Sequence, residues 1–293
     1  MCRGALSHTR GGFMAKKIED LTFIDDGMFQ AVMHEPGVCA EFVERLLHVK
    51  VEKVQFPKLE KAIAPFYTTK GVRLDVYLKD ENKIIDVEIQ KYEQEALGKR
   101  TRYYQSMIDM DSLMKGQDYP QLKETYILFI CTFDPFKKNE KETYGLPLYT
   151  FKNLCLEESD VQLGDNSTKV IYNASAYKAV KDERIQQLLQ FISTNNPGED
   201  LFSNKLAELV KKLKENERFR SDYAAMNLHD RDLIRNTKKE VAKETSIKIA
   251  KSLFANGASI ELISKSLEMT IEQVQEIVKD VSVNLKSEVE SAE

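Results

Sequence analysis

The 293-residue sequence has no tryptophan and few cysteines, histidines and prolines: four, four and seven, respectively. The cysteines have no C-x-x-C spacing and are too sparse for a disulfide framework, and the scattered histidines complete no zinc-ligand pattern. The sequence therefore excludes disulfide-scaffold and zinc-finger proteins. Free cysteines favour a reducing, cytoplasmic location.

Long apolar runs and a surplus of positive charge are also missing. The longest apolar run, residues 126–131, is far shorter than the roughly 18 residues of a membrane-spanning helix. The net charge is −4, so any contact with nucleic acid has to come from a local basic patch. Residues 1–13 lack the apolar stretch of a secretory signal, and we expect residues 1–17 to form a disordered leader. No membrane partner is expected.

Residues 73–90 instead show two alternating strands joined by a polar turn at residues 80–83. In the antiparallel register that pairs the two ends of this turn, the facing polar residues are Asp75 with Glu88, Tyr77 with Asp86, and Arg73 with Gln90. Carboxylates about 5 Å apart on facing strands repel each other unless a cation lies between them. Hard ions such as Mg²⁺ take carboxylate oxygens together with phosphate and water, which suits phosphodiester chemistry. The alternative is that the two acids are simply solvated on the wet face of a half-exposed hairpin.

Asp75, followed thirteen residues later by Glu88-Ile89-Gln90, resembles the PD-(D/E)xK nuclease pattern with glutamine in place of lysine. The order and spacing of LTFIDDGMFQAVM (21–33), GKRTRYYQSMI (98–108) and MKGQDYPQLKETYILFI (114–130) extend this similarity. Over about residues 18–230 the chain resembles the Rpn family of recombination-promoting nucleases, also called PD-(D/E)xK nuclease family transposases. The resemblance implies a metal-dependent DNA endonuclease acting in recombination, mobile-element biology or defence.

The resemblance also implies roles for individual residues. Asp75, Glu88 and the backbone carbonyl of Ile89 are expected to bind Mg²⁺ or Mn²⁺, and the metal lowers the pKa of a water that attacks phosphorus. Gln90 takes the third catalytic position, where it orients that water by hydrogen bonds; a lysine there donates a full positive charge. Asp26 matches an Asp-x-x-Phe of the family and is expected to border the site, the alternative being a helix cap.

Cationic candidates lie in two places. They are Arg73 and Lys79, on the strand of Asp75, and Lys99, Arg100 and Arg102, near the start of a helix predicted over residues 92–115. The first two are expected to stabilise charge in the transition state because they share a face with Asp75. The other three are expected to contact DNA phosphates that flank the cut. For these three the alternative is a solvated helix face.

The remaining pattern predicts an α/β fold. Residues 124–132 form a continuous apolar run typical of a central strand covered on both faces. Hairpin-like strands are predicted in residues 143–152 and 168–173, and two helices, broken at Pro36-Gly37, within residues 25–47. Residues 54–66 stay ambiguous. We therefore predict a restriction-endonuclease-like mixed sheet flanked by helices.

Four regions are expected along the chain: the leader (1–17), a nuclease-like domain (18–195), a charged helical arm (196–245) and a small helix-turn-helix-like tail (246–293). The tail is predicted from a helix stop at Gly257 and from capping-box spacing at Thr270. Its third helix lacks arginine, which favours assembly over the reading of DNA bases. A homo-oligomer formed through the C-terminal helices is one expected partner, and DNA is the other.

Two classes of function remain open from the sequence. The first is the metal-dependent endonuclease, which the presence of both Asp75 and Glu88 favours. The second is a catalytically weak or inactive nuclease-fold protein that binds nucleic acid or drives assembly, which Gln90 and the acidic balance favour. A transposase with three catalytic acids is disfavoured, because no third acid is placed convincingly with the pair.

Overall fold

The computed structural model describes residues 16–51, 58–63 and 72–279. The predicted leader, apart from its last two residues, and the end of the chain lie outside these ranges. The chain divides into two compact units, Met1–Ser221 and Asp222–Glu293. Among the helices in the described ranges, none is long and apolar enough to cross a membrane.

The described part of the first unit is built on a six-stranded mixed sheet. Its strands are β1 (Lys58–Ile63), β2 (Val72–Lys79), β3 (Lys83–Gln90), β4 (Glu124–Cys131), β5 (Leu148–Phe151) and β6 (Ser167–Asn173). Their order is β1-β2-β3-β4-β6-β5. The β3–β4 and β4–β6 pairs are parallel and the others antiparallel. The predicted α/β fold with a mixed sheet is thereby confirmed.

Helices precede, connect and follow these strands along the chain. They are α1 (Asp26–Met33), α2 (Pro36–Leu47), α3 (Leu97–Ser112), α4 (Glu183–Thr194), α5 (Leu201–Glu215), α6 (Glu217–Ala255) and α7 (Ile260–Leu267). Residues 271–279 are also helical. Short 3₁₀ turns lie at Ile18–Asp20, Tyr119–Gln121 and Ala174–Ala179.

Strand β4 lies centrally, as its apolar run predicts. It pairs with β3 on one side and β6 on the other, and its last residues, including Cys131, are buried. The predicted hairpin-like pair is present as antiparallel β5 and β6. The predicted break between the first two helices also occurs, and Pro36 opens α2, because proline suits the first turn of a helix.

Three boundaries differ from the sequence expectations. The helix predicted over residues 92–115 begins only at Leu97, because Ala96 adopts a left-handed conformation with φ 61°. The ambiguous residues 54–66 contain β1, an edge strand that the nearby prolines obscured. Residues 203–256 are split at Asn216, whose side chain accepts a bond from the Phe219 N–H (2.9 Å) and so competes with helix continuation.

The sheet is covered on both faces at β3. Helix α3 packs Met107 and Ile108 into a cluster with Tyr77 and Ile84. Near α1, α2 and α4, an aromatic cluster has ring centroids 5.4–6.1 Å apart; its members are Phe23, Phe29, Phe42 and Phe191. Successive residues of β3 point to opposite faces, and nearly all are buried. The polar side chains of β3 therefore lie inside the molecule.

A buried ion pair ties α2 to the start of α5. Arg45 Nη1 donates to Asp200 Oδ2 at 2.8 Å and to the carbonyl of Arg184 at 3.2 Å. Asp200 also caps α5 by accepting a bond from the Ser203 N–H. Burial by itself raises the pKa of Asp200, but the bonds from Ser203 and Arg45 outweigh burial, so this pKa lies below its ordinary value.

The described part of the second unit has its own small core. Ala250 of α6, Ile263 of α7, and Val274 and Val278 of the last helix are buried together. Gly257, with φ +86°, follows the end of α6. The predicted capping box is present, since the Gln273 N–H donates to Thr270 Oγ1 and the Thr270 N–H donates to Gln273 Oε1.

Candidate active site

Strands β2 and β3 pair in the register that the sequence predicts. The Asp80 N–H donates to the Lys83 carbonyl at 2.9 Å and closes the turn. The facing residues that follow are Lys79 with Ile84, Leu78 with Ile85, Tyr77 with Asp86, and Val76 with Val87. One residue further along, the Asp75 N–H donates to Glu88 Oε1 at 3.0 Å. The two predicted metal ligands therefore meet at the end of this ladder.

The acids of this hairpin are not solvated on an open face. Glu88 is 4% exposed and Asp86 is 0% exposed, while Asp75 is half-buried. The reason is that β3 is an inner strand whose polar face is covered by α3. The alternative of two solvated carboxylates is therefore wrong for Glu88.

Asp86 is a third acid to which sequence reasoning gave no role. Both of its carboxylate oxygens are buried and have no hydrogen-bond partner among the described residues. Burial and the charge of Asp75 raise its pKa well above the ordinary value. Burial, followed by the charges of Asp86 and Asp75, likewise raises the pKa of Glu88. The strand alternation already put Asp86 on the face of Glu88, and this was the one available clue.

The carbonyl of Ile89 points towards β2. The Gln90 carbonyl accepts a bond from the Thr132 N–H at 3.1 Å and so points towards the β4 side. Because backbone carbonyls of a strand alternate in direction, the carbonyl of Ile89 points the opposite way. Asp75 lies on that side, as the predicted metal set requires.

These groups fit a hard divalent cation. The described residues contain no cluster of three or more His, Cys, Asp or Glu side chains placed to hold a metal ion. Mg²⁺ is nevertheless commonly held by one or two carboxylates, with phosphate and water completing its shell. Asp75, Glu88 and the Ile89 carbonyl form a set of this kind. The unpartnered oxygens of Asp86 mark a surplus of buried negative charge that a cation would relieve.

Gln90 and Arg100 are joined directly beside Glu88. Arg100 Nη1 donates to Gln90 Oε1 at 2.7 Å, and Gln90 Nε2 donates to the Tyr92 carbonyl at 2.7 Å. Arg100 Nη2 lies 3.8 Å from Glu88 Oε2. Of the cations proposed from sequence, Arg100 is thus brought next to the acids.

The other predicted cations have different surroundings. Lys79 is exposed and lies four residues from Asp75, or about 13 Å along an extended strand. Lys99 and Arg102 are exposed on α3. Arg73 belongs to β2, but its side chain lies outside what the structure describes.

Asp26 is exposed at the first position of α1, and its neighbour Asp25 makes the contacts near β3. Asp25 forms an ion pair with Lys91, the residue after Gln90, and accepts a bond from the Thr22 N–H at 2.7 Å. Burial raises the pKa of Asp25, but bonds from Lys91 and Thr22 outweigh burial and leave this pKa lowered. Sequence reasoning missed this pair because it joins residues 66 positions apart.

A cavity of about 490 Å³ adjoins the site at the carboxyl ends of β3 and β4. Its lining includes Gln90 and Arg100, the first residues of α3, and Phe133 and Phe136 from the loop after β4. Asp134 fixes that loop by accepting bonds from the Tyr149 hydroxyl at 2.8 Å and the Gly145 N–H at 2.6 Å. Ligands of open α/β sheets commonly bind at such strand ends.

Comparison with known proteins adds one match to this geometry. The model of the family described as PD-(D/E)XK nuclease family transposase matches residues 35–163. This segment contains β1 to β5 and α3, and with them Asp75, Glu88, Gln90 and Arg100. Neither the curated proteins nor the solved structures contain a match.

Proposed function

We propose that the protein is a metal-dependent DNA endonuclease, since residues 35–163 match the model of the PD-(D/E)XK nuclease family transposases. The observation that carries this proposal is the contact between Asp75 and Glu88 at the end of the β2–β3 ladder. The contact, which the backbone N–H of Asp75 makes to the Glu88 carboxylate, joins two residues of a pattern that the sequence separates by thirteen residues.

Each residue of the site has a separate part in this proposal. Asp75, Glu88 and the carbonyl of Ile89 hold Mg²⁺ or Mn²⁺. Such a cation supplies Lewis acidity and lowers the pKa of a bound water. Gln90 lies on the face of Glu88, and burial of this face limits the access of bulk water.

The DNA backbone is proposed to approach from the side of the cavity. Lys99 and Arg102 are exposed on α3, outside the lining of the cavity, and are proposed to contact phosphates flanking the cut. Contacts of this kind position the duplex and carry no sequence information. Recombination, mobile-element biology or defence, in the manner of Rpn nucleases, is the proposed setting, with the C-terminal helices proposed to mediate assembly.

Two observations favour a second candidate. Both ends of the Gln90 amide are engaged by the chain itself, and the net charge is −4. A protein that binds nucleic acid or assembles through the nuclease fold, with weak or no cleavage, would keep this arrangement.

The test is cleavage of supercoiled plasmid in Mg²⁺, Mn²⁺ or EDTA. We expect nicking with a divalent metal and none in EDTA. Asp75→Asn and Glu88→Gln are expected to lower the rate about 10²–10³-fold, because each removes a charged oxygen ligand and so weakens binding of the metal on which cleavage depends. Glu81→Gln, in the exposed turn of the same hairpin, is the matched control and is expected to cleave normally.

Two results would contradict the proposal. Nicking that survives both substitutions would assign cleavage to another site or another protein. If no metal supports nicking and the protein still binds DNA, the second candidate replaces the endonuclease.

A further inference from the structure

Arg100 brings positive charge to the carboxylates of β2 and β3. Its Nη2 lies 3.8 Å from Glu88 Oε2, which is an ion-pair distance but longer than a hydrogen bond. Its Nη1 donates to Gln90 Oε1 at 2.7 Å. An arginine side chain is not deprotonated in proteins, so this charge is permanent.

The guanidinium is held in place from several sides. Nη1 also donates to Gln94 Oε1 at 2.6 Å, and Nη2 donates to the Tyr104 hydroxyl at 3.2 Å. The guanidinium carbon lies 5.6 Å from the ring centre of Tyr104 and 5.3 Å from that of Phe129. These contacts orient the group before substrate arrives, so little reorganisation is needed during reaction.

Gln90 contributes to this orientation. Its Oε1 accepts from Arg100 while its Nε2 donates to the Tyr92 carbonyl at 2.7 Å. With one bond at each end, the amide is held in a fixed orientation beside Arg100, and one N–H and one oxygen lone pair remain for other partners. Arg100 Nη2 lies 3.8 Å from Glu88 Oε2 and therefore makes no hydrogen bond of normal length to that carboxylate.

We propose that Arg100 supplies the positive charge that lysine supplies in the PD-(D/E)xK pattern, and that Gln90 is a positioning residue that holds Arg100. The inference rests on the proposed function and deepens it. The charge comes from α3, ten positions after Gln90, and the group that touches substrate is a guanidinium. Its Nη2 donates to a non-bridging oxygen of the phosphate being cut.

The hydrolysis itself needs no proton from Arg100. The water oxygen forms a bond to phosphorus, and the ester bond from phosphorus to one deoxyribose oxygen breaks. The water gives up a proton to solvent, and the departing oxygen takes one up. Arg100 stays protonated throughout and stabilises the negative charge on the phosphate oxygens.

The test measures single-turnover cleavage by the full-length protein, together with its DNA affinity in EDTA. For Arg100→Gln we expect a cleavage rate about 10²–10³-fold lower and little change in affinity, because the lost contact acts in the transition state. Lys115→Gln, exposed beyond the end of α3, is the control and should cleave as wild type.

Two further variants separate charge from structure. Arg100→Lys is expected to keep partial activity, because the ammonium keeps the positive charge but lacks the planar fork of the guanidinium. Gln90→Lys combined with Arg100→Gln is expected to recover at least about tenfold over Arg100→Gln alone, by restoring one cation beside Glu88.

A double-mutant cycle tests the role of Gln90. Gln90→Ala is expected to slow cleavage about tenfold in the wild type but to have little effect in the Arg100→Gln background, because a positioning residue acts through its partner.

Each negative outcome has a distinct meaning. Cleavage that depends on Asp75 and Glu88 but is unchanged in Arg100→Gln and Arg100→Lys overturns this inference and leaves the proposed function standing. An independent loss from Gln90→Ala in the Arg100→Gln background overturns the positioning role. A wild-type protein that binds DNA without cutting it overturns the proposed function and this inference together.

Discussion

The buried carboxyl groups of Asp86 and Glu88 interact electrostatically with the partly buried Asp75 and Arg100. Buried carboxylates of like charge repel each other, and the described residues offer Asp86 no hydrogen bond in compensation. In the metal-free protein, the burial of Asp86 therefore lowers the free energy of unfolding. Packing alone gives no reason for an acid at this buried position, so its charge and burial favour a functional role for Asp86.

Asp86→Asn is expected to stabilise the metal-free protein by about 1 kcal/mol or more, since the buried carboxyl group has no hydrogen-bond partner and must either carry a charge there or take up a proton on folding. Urea denaturation in EDTA measures this. Asp134→Asn is the matched control: Asp134 is buried but accepts bonds from the Tyr149 hydroxyl at 2.8 Å and the Gly145 N–H at 2.6 Å, and its pKa is lowered, so its substitution should not stabilise. A less stable Asp86→Asn protein would show that the carboxylate is well accommodated.

At the scale of elements, the fold depends on how helices dock against the sheet and against one another. The Arg45–Asp200 ion pair is such a contact. Its two residues are 155 positions apart in the sequence, and the pair fixes α2 against the start of α5. The folded-state pKa of Asp200 lies below its ordinary value of 3.8. Its charge therefore stabilises the fold above about pH 4, and this contribution is lost as the pH falls through the folded-state pKa.

Asp200→Asn is expected to cost about 3 kcal/mol of unfolding free energy at pH 7, because the buried Arg45 loses its partner. The difference in unfolding free energy between this variant and the wild type should become smaller below pH 4, where wild-type Asp200 also loses its charge. Urea denaturation at pH 7, 5 and 3 checks both points. Glu41→Gln, which removes the more exposed partner of Arg45, should cost no more than about 0.5 kcal/mol. Equal losses of unfolding free energy in the two variants would refute the assignment of Asp200 as the main partner of Arg45.

The sequence predicted elements whose cause is local and missed those whose cause is tertiary. Alternation and a polar turn determined the β2–β3 register, and with it the approach of Asp75 and Glu88. No local pattern could place the guanidinium of Arg100 beside Glu88, because that position depends on how α3 lies across the sheet. The Asp25–Lys91 pair was missed for the same reason.

At the scale of the whole molecule, the second unit has a core of few residues. Ile263, at 0% exposure, lies at its centre, whereas Leu262, its neighbour in α7, is 57% exposed. A core of this size has little reserve stability, so one buried charge is expected to open it.

Ile263→Asp is therefore expected to raise amide hydrogen exchange across residues 250–278, because an unpaired carboxylate would enter that core. Leu262→Asp places the same charge one position away, in solvent, and should leave exchange nearly unchanged. Hydrogen-exchange mass spectrometry of the full-length chain measures both. Similar protection in the two variants would contradict the packing of Ile263.

The burial of β4 also determines where the chain can be labelled. Cys131, at the end of that strand, pairs with Gln90 in the adjoining strand, and burial raises the pKa of its thiol to about 12. Burial raises the pKa of the Cys39 thiol to about 12 as well, whereas Cys155 is partly exposed. Since the thiolate is the group that attacks alkylating reagents, Cys155 is, among the three cysteines of the described residues, the accessible site for attaching a fluorophore. Slow modification of Cys131 would report the rate at which the sheet opens beside β3.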